Sequence, residues 1–218
     1  MDAKFWLERW ENSETGFHRE DANASLRRFW PRLNLPPKST VFVPLCGRSS
    51  DMPLLAQNGH KIIGVELSDI AIRMFFENQK LTADIRQQDG FDIWSAGPYE
   101  LWVGDMFKLP SQLINNCSAV YDRASLVAFP REMQKDYSKL LAAHLAGQAQ
   151  ILLVSLSYDQ TEMEGPPFST PAERIEDLFQ SSFDIEALDH AMTLEENENL
   201  KKRGLTSLTE SCYLLKKR

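Results

Sequence analysis

Cysteine is scarce and poorly placed for either of its structural uses. The chain has three, Cys46, Cys117 and Cys212, an odd number at long separations. No metal-type spacing and no disulfide framework can be drawn from them, so a reducing cytoplasm is the natural setting. The four histidines, His18, His60, His144 and His190, are scattered. A His-Glu-x-x-His helix, a Gly-x-Ser-x-Gly elbow and an evident pair of catalytic carboxylates are all missing, which argues against metal-dependent and acyl-enzyme chemistry. Basic charge is short as well: 24 Lys and Arg face 31 Asp and Glu, a net charge of -7 and a pI near 5.2. The summed field repels polyanions, so nucleic acid is excluded as a substrate unless a basic patch is concealed locally.

Long apolar runs are absent too. The longest stretch without a formal charge, residues 140–158, contains His144, Gly147, Gln148, Gln150, Ser155 and Ser157. It is too polar to cross a bilayer and divides at Gly147 into a helix and a strand. Asp2, Lys4, Glu8 and Arg9 interrupt the N-terminus, so no secretory signal is expected. Glycine (10) and proline (11) show no period, and no repeat is visible, which excludes fibrous, solenoid and largely disordered chains. The 218 residues, 43% hydrophobic, are enough for one large core, expected as a single domain over residues 1–218.

The residues that are present alternate in an α/β rhythm. Residues 40–45 (Thr-Val-Phe-Val-Pro-Leu) and 61–66 (Lys-Ile-Ile-Gly-Val-Glu) are short, branched apolar runs, the pattern of strands buried on both faces of a parallel sheet. A helix over residues 48–58, stopped by Gly59, supplies the crossover. Ser68 can cap a helix to about Lys80, with Ile72, Phe75, Phe76 and Gln79 at helical spacing. Further strands are expected at residues 100–104, 119–122, 150–157, 183–188 and 207–216, and further helices over 131–146 and from Thr170-Pro171 onward. There Thr170 would cap and Glu173 reach back. That makes seven strands, the last two antiparallel to each other. Ahead of them, residues 1–34 form an aromatic, charged segment, expected as a helical lid over the core of residues 35–218.

Ligands in such sheets lie beyond the carboxyl ends of the strands. Those ends are Leu45-Cys46-Gly47, Glu66, Gly104-Asp105-Met106, Asp122-Arg123 and Ser157-Tyr158-Asp159. Glu66 closes the second strand nineteen residues after Gly47, where an acid accepts from ribose hydroxyls, so an adenosine-containing ligand is expected. A solvated acid is the competing meaning. The first loop has one glycine where a dinucleotide fingerprint needs three, which argues against pyrophosphate. Gly47 is either an ordinary turn or a point of close approach for adenosine and an amino-acid tail. Asp105 or Met106 could frame an adenine ring. Arg123 could place a cation at a transfer site, or pair with Asp122. Trp6 and Trp10 share a helical face, as core or as cover, and Gly165-Pro166-Pro167-Phe168 is a stiff loop presenting an aromatic ring.

Taken together, Phe5-Trp6-x-x-x-Trp10, Gly16-Phe17-His18, Val43-Pro44-Leu45-Cys46-Gly47, Gly59-His60, Gly64-Val65-Glu66-Leu67-Ser68, Tyr121-Asp122-Arg123, Leu156-Ser157-Tyr158-Asp159 and Gly165-Pro166-Pro167-Phe168 resemble the thiopurine S-methyltransferase family, its bacterial members above all. The match runs in order over nearly the whole chain. The resemblance implies a Rossmann-like class I methyltransferase: a doubly wound, mostly parallel seven-stranded sheet with an antiparallel last strand. It implies a cytoplasmic monomer that uses S-adenosyl-L-methionine, releases S-adenosyl-L-homocysteine and acts on a small-molecule thiol, with no membrane or nucleic-acid partner and no metal. Carried over by position, Trp10, Leu45, Glu66 and Arg123 become cofactor contacts, with Trp6, Gly47, Asp105 and Met106 beside them. Phe17, Pro166, Pro167 and Phe168 become the substrate side, and Arg123 the catalytic cation. The chain departs from the animal members over residues 195–203, where Asn199 or a neighbour replaces a basic residue and Lys201, Lys202 or Arg203 could substitute. Rival readings are the same fold acting on selenium or tellurium species, thiocyanate or halide, and an adenosine-nucleotide protein that is not a methyltransferase.

Overall fold

The computed structural model describes residues 3–218; Met1 and Asp2 of the expected lid lie outside the described residues. The chain opens with α1 (Ala3–Glu11) and α2 (Ala24–Phe29), the latter running into a 3₁₀ turn at Trp30–Leu33. The alternating unit follows: β1 (Thr40–Val43), α3 (Asp51–Gln57), β2 (Lys61–Glu66) and α4 (Asp69–Asn78). Then come β3 (Asp84–Gln88), β4 (Phe91–Ala96), β5 (Tyr99–Val103), α5 (Ser111–Asn115), β6 (Ala119–Arg123) and α6 (Arg131–His144). The chain ends with β7 (Gln150–Ser157), α7 (Ala172–Phe179), β8 (Phe183–Met192), α8 (Glu198–Lys202) and β9 (Thr209–Lys217).

All the strands form one sheet in the order β3-β4-β5-β2-β1-β6-β7-β9-β8. β5, β2, β1, β6 and β7 are parallel, and β9 enters antiparallel between β7 and β8. The seven expected strands are present with the expected reversal, but the sheet has nine. β3 and β4 form an additional antiparallel hairpin on the β5 edge. Its two-residue turn, Asp89-Gly90, takes left-handed φ values of 51° and 82°, the geometry that suits strand twist and that an Asp-Gly pair favours. β3 (Asp-Ile-Arg-Gln-Gln) is exposed throughout and carries no apolar alternation, which is why only the turn signals it.

Apolar side chains alternate between two core layers because successive strand residues point to opposite faces. In β1, Val41 and Val43 join a layer with Leu55, Ile72 and Phe75, whereas Phe42 joins the opposite layer with Tyr137, Leu141 and Ile175. In β7, Ile151 and Leu153 pack on the second layer and Leu152 and Val154 on the first. Leu26, Phe29, Trp30 and Leu33 also belong to the first layer, so the cover proper is α1 and the segment of residues 12–23. Ser68 caps α4 as expected, accepting from the Ala71 amide at 3.4 Å. α7 has no side-chain cap: Thr170 is buried, and its hydroxyl donates to the Leu156 carbonyl of β7 at 3.3 Å instead.

Gly64 in β2 is required by packing, since a Cβ there would lie 2.7 Å from Leu101 Cδ2 and 2.8 Å from Cys46 Sγ, both in the interior. Gly64→Ala is expected to destabilise the protein by about 1–3 kcal/mol through overpacking, read as a lower midpoint in urea unfolding at unchanged slope.

Candidate active site

The β1–α3 loop is turned sharply enough to bring its backbone across the end of β2. Leu45 and Gly47 both lie in the left-handed region, at φ 45° and 49°; Leu45 is a branched side chain in a conformation that L-residues avoid, the kind of local strain found at functional sites. Two bonds hold the turn: Cys46 N donates to Val65 O at 2.9 Å, and Ser125 Oγ donates to Pro44 O at 2.7 Å. Glu66, only 7% exposed, receives the Gly47 amide on Oε2 at 3.1 Å and the Ser68 amide on Oε1 at 3.0 Å. Burial pushes its carboxyl above the usual range, and the amides of Ser68, Gly47 and Leu67 pull partly back. Each oxygen keeps a lone pair for a further donor. Trp10 is buried against Gly47, where a Cβ would come within 3.2 Å of its ring.

Gly104 N donates to Glu66 O at 2.8 Å, so the β5 end sits beside the β2 end. Phe91 closes on Gly104, with no room for a side chain. Asp105 spends Oδ1 on the Phe107 amide at 3.0 Å, capping a short 3₁₀ turn, and its side chain stays open to solvent. Met106 is buried among Phe42, Val65 and Trp102, so it faces the interior layer.

Asp122 and Arg123 do not pair with one another, since neighbouring strand residues face opposite ways. Asp122 turns into the core, where Tyr137 OH donates to it at 2.6 Å and Leu126 N at 3.2 Å; burial raises its carboxyl pKa. Arg123 Nη1 instead donates to Asp51 Oδ2 at 3.2 Å. Asp51, a residue that sequence reasoning missed, is fully buried and also accepts from Tyr121 OH at 3.1 Å and from Asn23 N at 2.7 Å. Burial works against the charge on Arg123, but Asp51, Tyr121 and Glu210 outweigh it and hold the guanidinium above its ordinary pKa. The available signal was an acid in the first turn of α3, where helix starts favour one. Cys46, beside the site, is no nucleophile: burial, then Glu66, raises its thiol well above the ordinary value.

On the outer side, Phe17 meets Trp6 and Trp10 edge-on at 5.6 Å and 5.5 Å and is 39% exposed, an aromatic cluster shared by the expected cofactor and substrate sides. The Pro166-Pro167-Phe168 loop, with cis peptide bonds before both prolines, is fastened from three directions. Tyr158 OH donates to Pro167 O at 2.6 Å, Phe168 N to Val127 O at 2.6 Å and Arg203 Nη1 to Pro166 O at 2.7 Å. Of the three candidate basic residues, Lys201 pairs with Glu195 and Lys202 with Glu198, leaving Arg203 on the proline loop. Asn199 lies over Gly16, and Arg19 donates to Asn197 Oδ1 and Glu196 O, so the cover is tied to residues 196–199.

Asp51→Ala would strip three donors of their acceptor at once. It is expected to cost about 3–5 kcal/mol, the range for breaking one side of a buried ion pair, measurable by thermal unfolding; Asp51→Asn should recover part of the loss.

A family model, thiopurine S-methyltransferase, matches residues 1–218. A thiopurine S-methyltransferase of Pseudomonas putida F1 is 40% identical over 215 residues, covering 99% of each chain. One of Xanthomonas euvesicatoria is 39% identical over 218 residues, covering 100% of each. Among solved structures, an S-adenosylmethionine-dependent methyltransferase from Anabaena variabilis superposes with a TM-score of 0.66 at 16% identity, covering 99% of this chain and 95% of that one, a likeness of fold. The full-length match to the family model and to relatives about 40% identical establishes that this chain belongs to the thiopurine S-methyltransferase family.

Proposed function

We propose that Glu66, Gly47, Leu45 and Trp10 hold S-adenosylmethionine, with Trp6 and Asp105 beside them and Met106 backing the loop from the core side, while Phe17, Pro166, Pro167 and Phe168 grip the acceptor and Arg123 serves both. The enzyme is a methyltransferase of this family, acting on the sulfur of thiopurines and related aromatic thiols. The observation that carries the assignment is Glu66: a nearly buried carboxylate, fixed by backbone amides alone, beside a glycine whose missing side chain leaves Trp10 in contact with the loop. These residues fit an adenosine ligand, because the remaining lone pairs of Glu66 can accept ribose hydroxyls. When bound, the sulfonium cofactor supplies an electrophilic methyl group.

The side chains supply position and environment. Trp6, Trp10 and Phe17 exclude water over the Glu66 loop, and Phe168 presents a flat face from a loop fastened at Pro166 and Pro167. An anionic sulfur and a cationic methyl donor cancel charge as they react, so a dry site favours the step. Asp51 occupies one edge of the Arg123 guanidinium, and the other N–H groups remain to favour a thiolate over a thiol. No general base is needed for a thiol that ionises readily. The three cysteines are free and buried, as suits a reducing compartment, and the net charge of -7 favours a small-molecule acceptor over nucleic acid; no described helix is long and apolar enough to cross a membrane.

Isothermal titration with S-adenosylhomocysteine should show Glu66→Ala losing about 1–3 kcal/mol of affinity, roughly 5- to 150-fold in Kd. Because the raised carboxyl must be ionised to accept two hydroxyls, wild-type affinity should fall as pH drops through the window just above the ordinary carboxylate value, and Glu66→Gln should flatten that dependence. Arg123→Ala should lower turnover of an aromatic thiol and move the acidic limb of the pH–rate profile upward, toward the pKa of the free thiol. Unchanged turnover and an unmoved limb would remove Arg123 from the reaction.

A further inference from the structure

Two buried nitrogens at the mouth of the site have no hydrogen-bond partner among the described residues: His18 Nε2 and Arg48 Nε. They come from different segments, His18 from the cover and Arg48 from the loop that follows Gly47. The His18 side chain is 8% exposed and that of Arg48 16%. A single carboxylate lies over both. Glu20 Oε1 stands 3.4 Å from His18 Nε2, without the alignment of a hydrogen bond, and 3.6 Å from Arg48 Nη2, beyond hydrogen-bond distance. The Glu20 side chain is 83% exposed, so a loosely held surface acid faces desolvated donors that the interior does not satisfy. Glu20 also lines an open groove of about 260 Å³ along α3, so its carboxylate borders open space rather than the core.

Electrostatics favour a second anion at this point. Arg123 adds its field to that of Arg48: burial, then Arg48, lowers the His18 pKa, Glu20 opposes, and Arg123 lowers it further. Among the described residues those three side chains are the charged groups facing the imidazole, Glu20 from its own segment, Arg48 from the β1–α3 loop and Arg123 from the β6 end. Buried donors left unpaired are unusual in native structures, and a carboxylate is the acceptor whose two oxygens suit a guanidinium edge together with an imidazole.

We propose that His18 and Arg48 form a seat for the carboxylate of a bound small molecule, with Glu20 as its displaceable stand-in. This rests on the reading of this face as the methyl-transfer site. Two ligands can bring that carboxylate: the amino-acid tail of the methyl donor, or an acidic substituent on the aromatic thiol.

The test uses the full chain as wild type, Arg48→Met, His18→Gln and Glu20→Gln. Titration compares S-adenosylhomocysteine with its decarboxylated analogue, and steady-state kinetics compare meta-mercaptobenzoate with benzenethiol. If the donor fills the seat, Arg48→Met and His18→Gln shrink the preference for S-adenosylhomocysteine over its analogue by about tenfold. If the acceptor fills it, the same variants raise the Michaelis constant for meta-mercaptobenzoate relative to benzenethiol by about tenfold. In either case Glu20→Gln, an exposed change that leaves folding intact, tightens the carboxylate-bearing ligand, a gain that a purely structural role would not produce. Should Arg48→Met fold poorly, His18→Gln and Glu20→Gln decide the matter. A wild type that binds S-adenosylhomocysteine, with variants indifferent to the carboxylate on both ligands, overturns the seat alone. A wild type that does not bind it overturns the methyl-transfer reading as well.

Discussion

The carboxylate of Asp51 joins three parts of the molecule that the chain delivers separately. It accepts from the Asn23 amide of the cover, from Tyr121 inside the sheet and from Arg123 at the mouth of the site. Without a common acceptor, the cover would keep its aromatic contacts and its bonds from Asn23 to Glu210 and from Arg19 to Glu196 and Asn197, but it would lose its tie to Tyr121 and Arg123, and Arg123 would be a long side chain free to sample solvent. A buried charge with three good donors fixes direction as well as energy, because each donor must arrive from its own angle. The position of the cover over the Gly47 loop and the aim of Arg123 are therefore one constraint.

Charge is sorted within this acidic protein. Its surplus of carboxylates lies mostly on the outside, while Arg48 and Arg123 both act on His18, whose own charge they and burial disfavour, on the face proposed for methyl transfer. A local cationic pocket inside a negative envelope discriminates by size: a small anion can reach the focused field, whereas a polyanion meets the net repulsion first. Glu66 is set apart from this cluster, satisfied by backbone amides rather than by arginine, which leaves its lone pairs available for neutral hydroxyls.

Much of this arrangement is legible before any coordinates. Apolar runs ending in Leu45-Cys46-Gly47 and Glu66 identify buried parallel strands and their carboxyl ends, because burial on both faces leaves a contiguous hydrophobic signature. What escapes is whatever depends on a distant partner. Asp51 looks like any acid opening a helix, and only the fold brings Tyr121 and Arg123 to it. Asp122 and Arg123 read as a pair along the chain, whereas the pleat sends them to opposite faces. The choice among Lys201, Lys202 and Arg203 turns on single-turn geometry at the end of α8, which composition cannot express. Thr170 has every local reason to cap α7, but its hydroxyl is taken by β7.

The two rims of the sheet are protected by different means. β3 is short, exposed and polar, with Asp84, Arg86, Gln87 and Gln88 along it. At the opposite rim β8 is latched by Arg28 to Asp189 and by Arg32 to Glu186, from the N-terminal segment that precedes β1. Unpaired strand borders invite another chain to extend the sheet, and charged borders make that addition unfavourable. A strand added at either rim would therefore have to desolvate charge, and the arginines that pin the N-terminal segment to the β8 rim also stand where such a strand would pair.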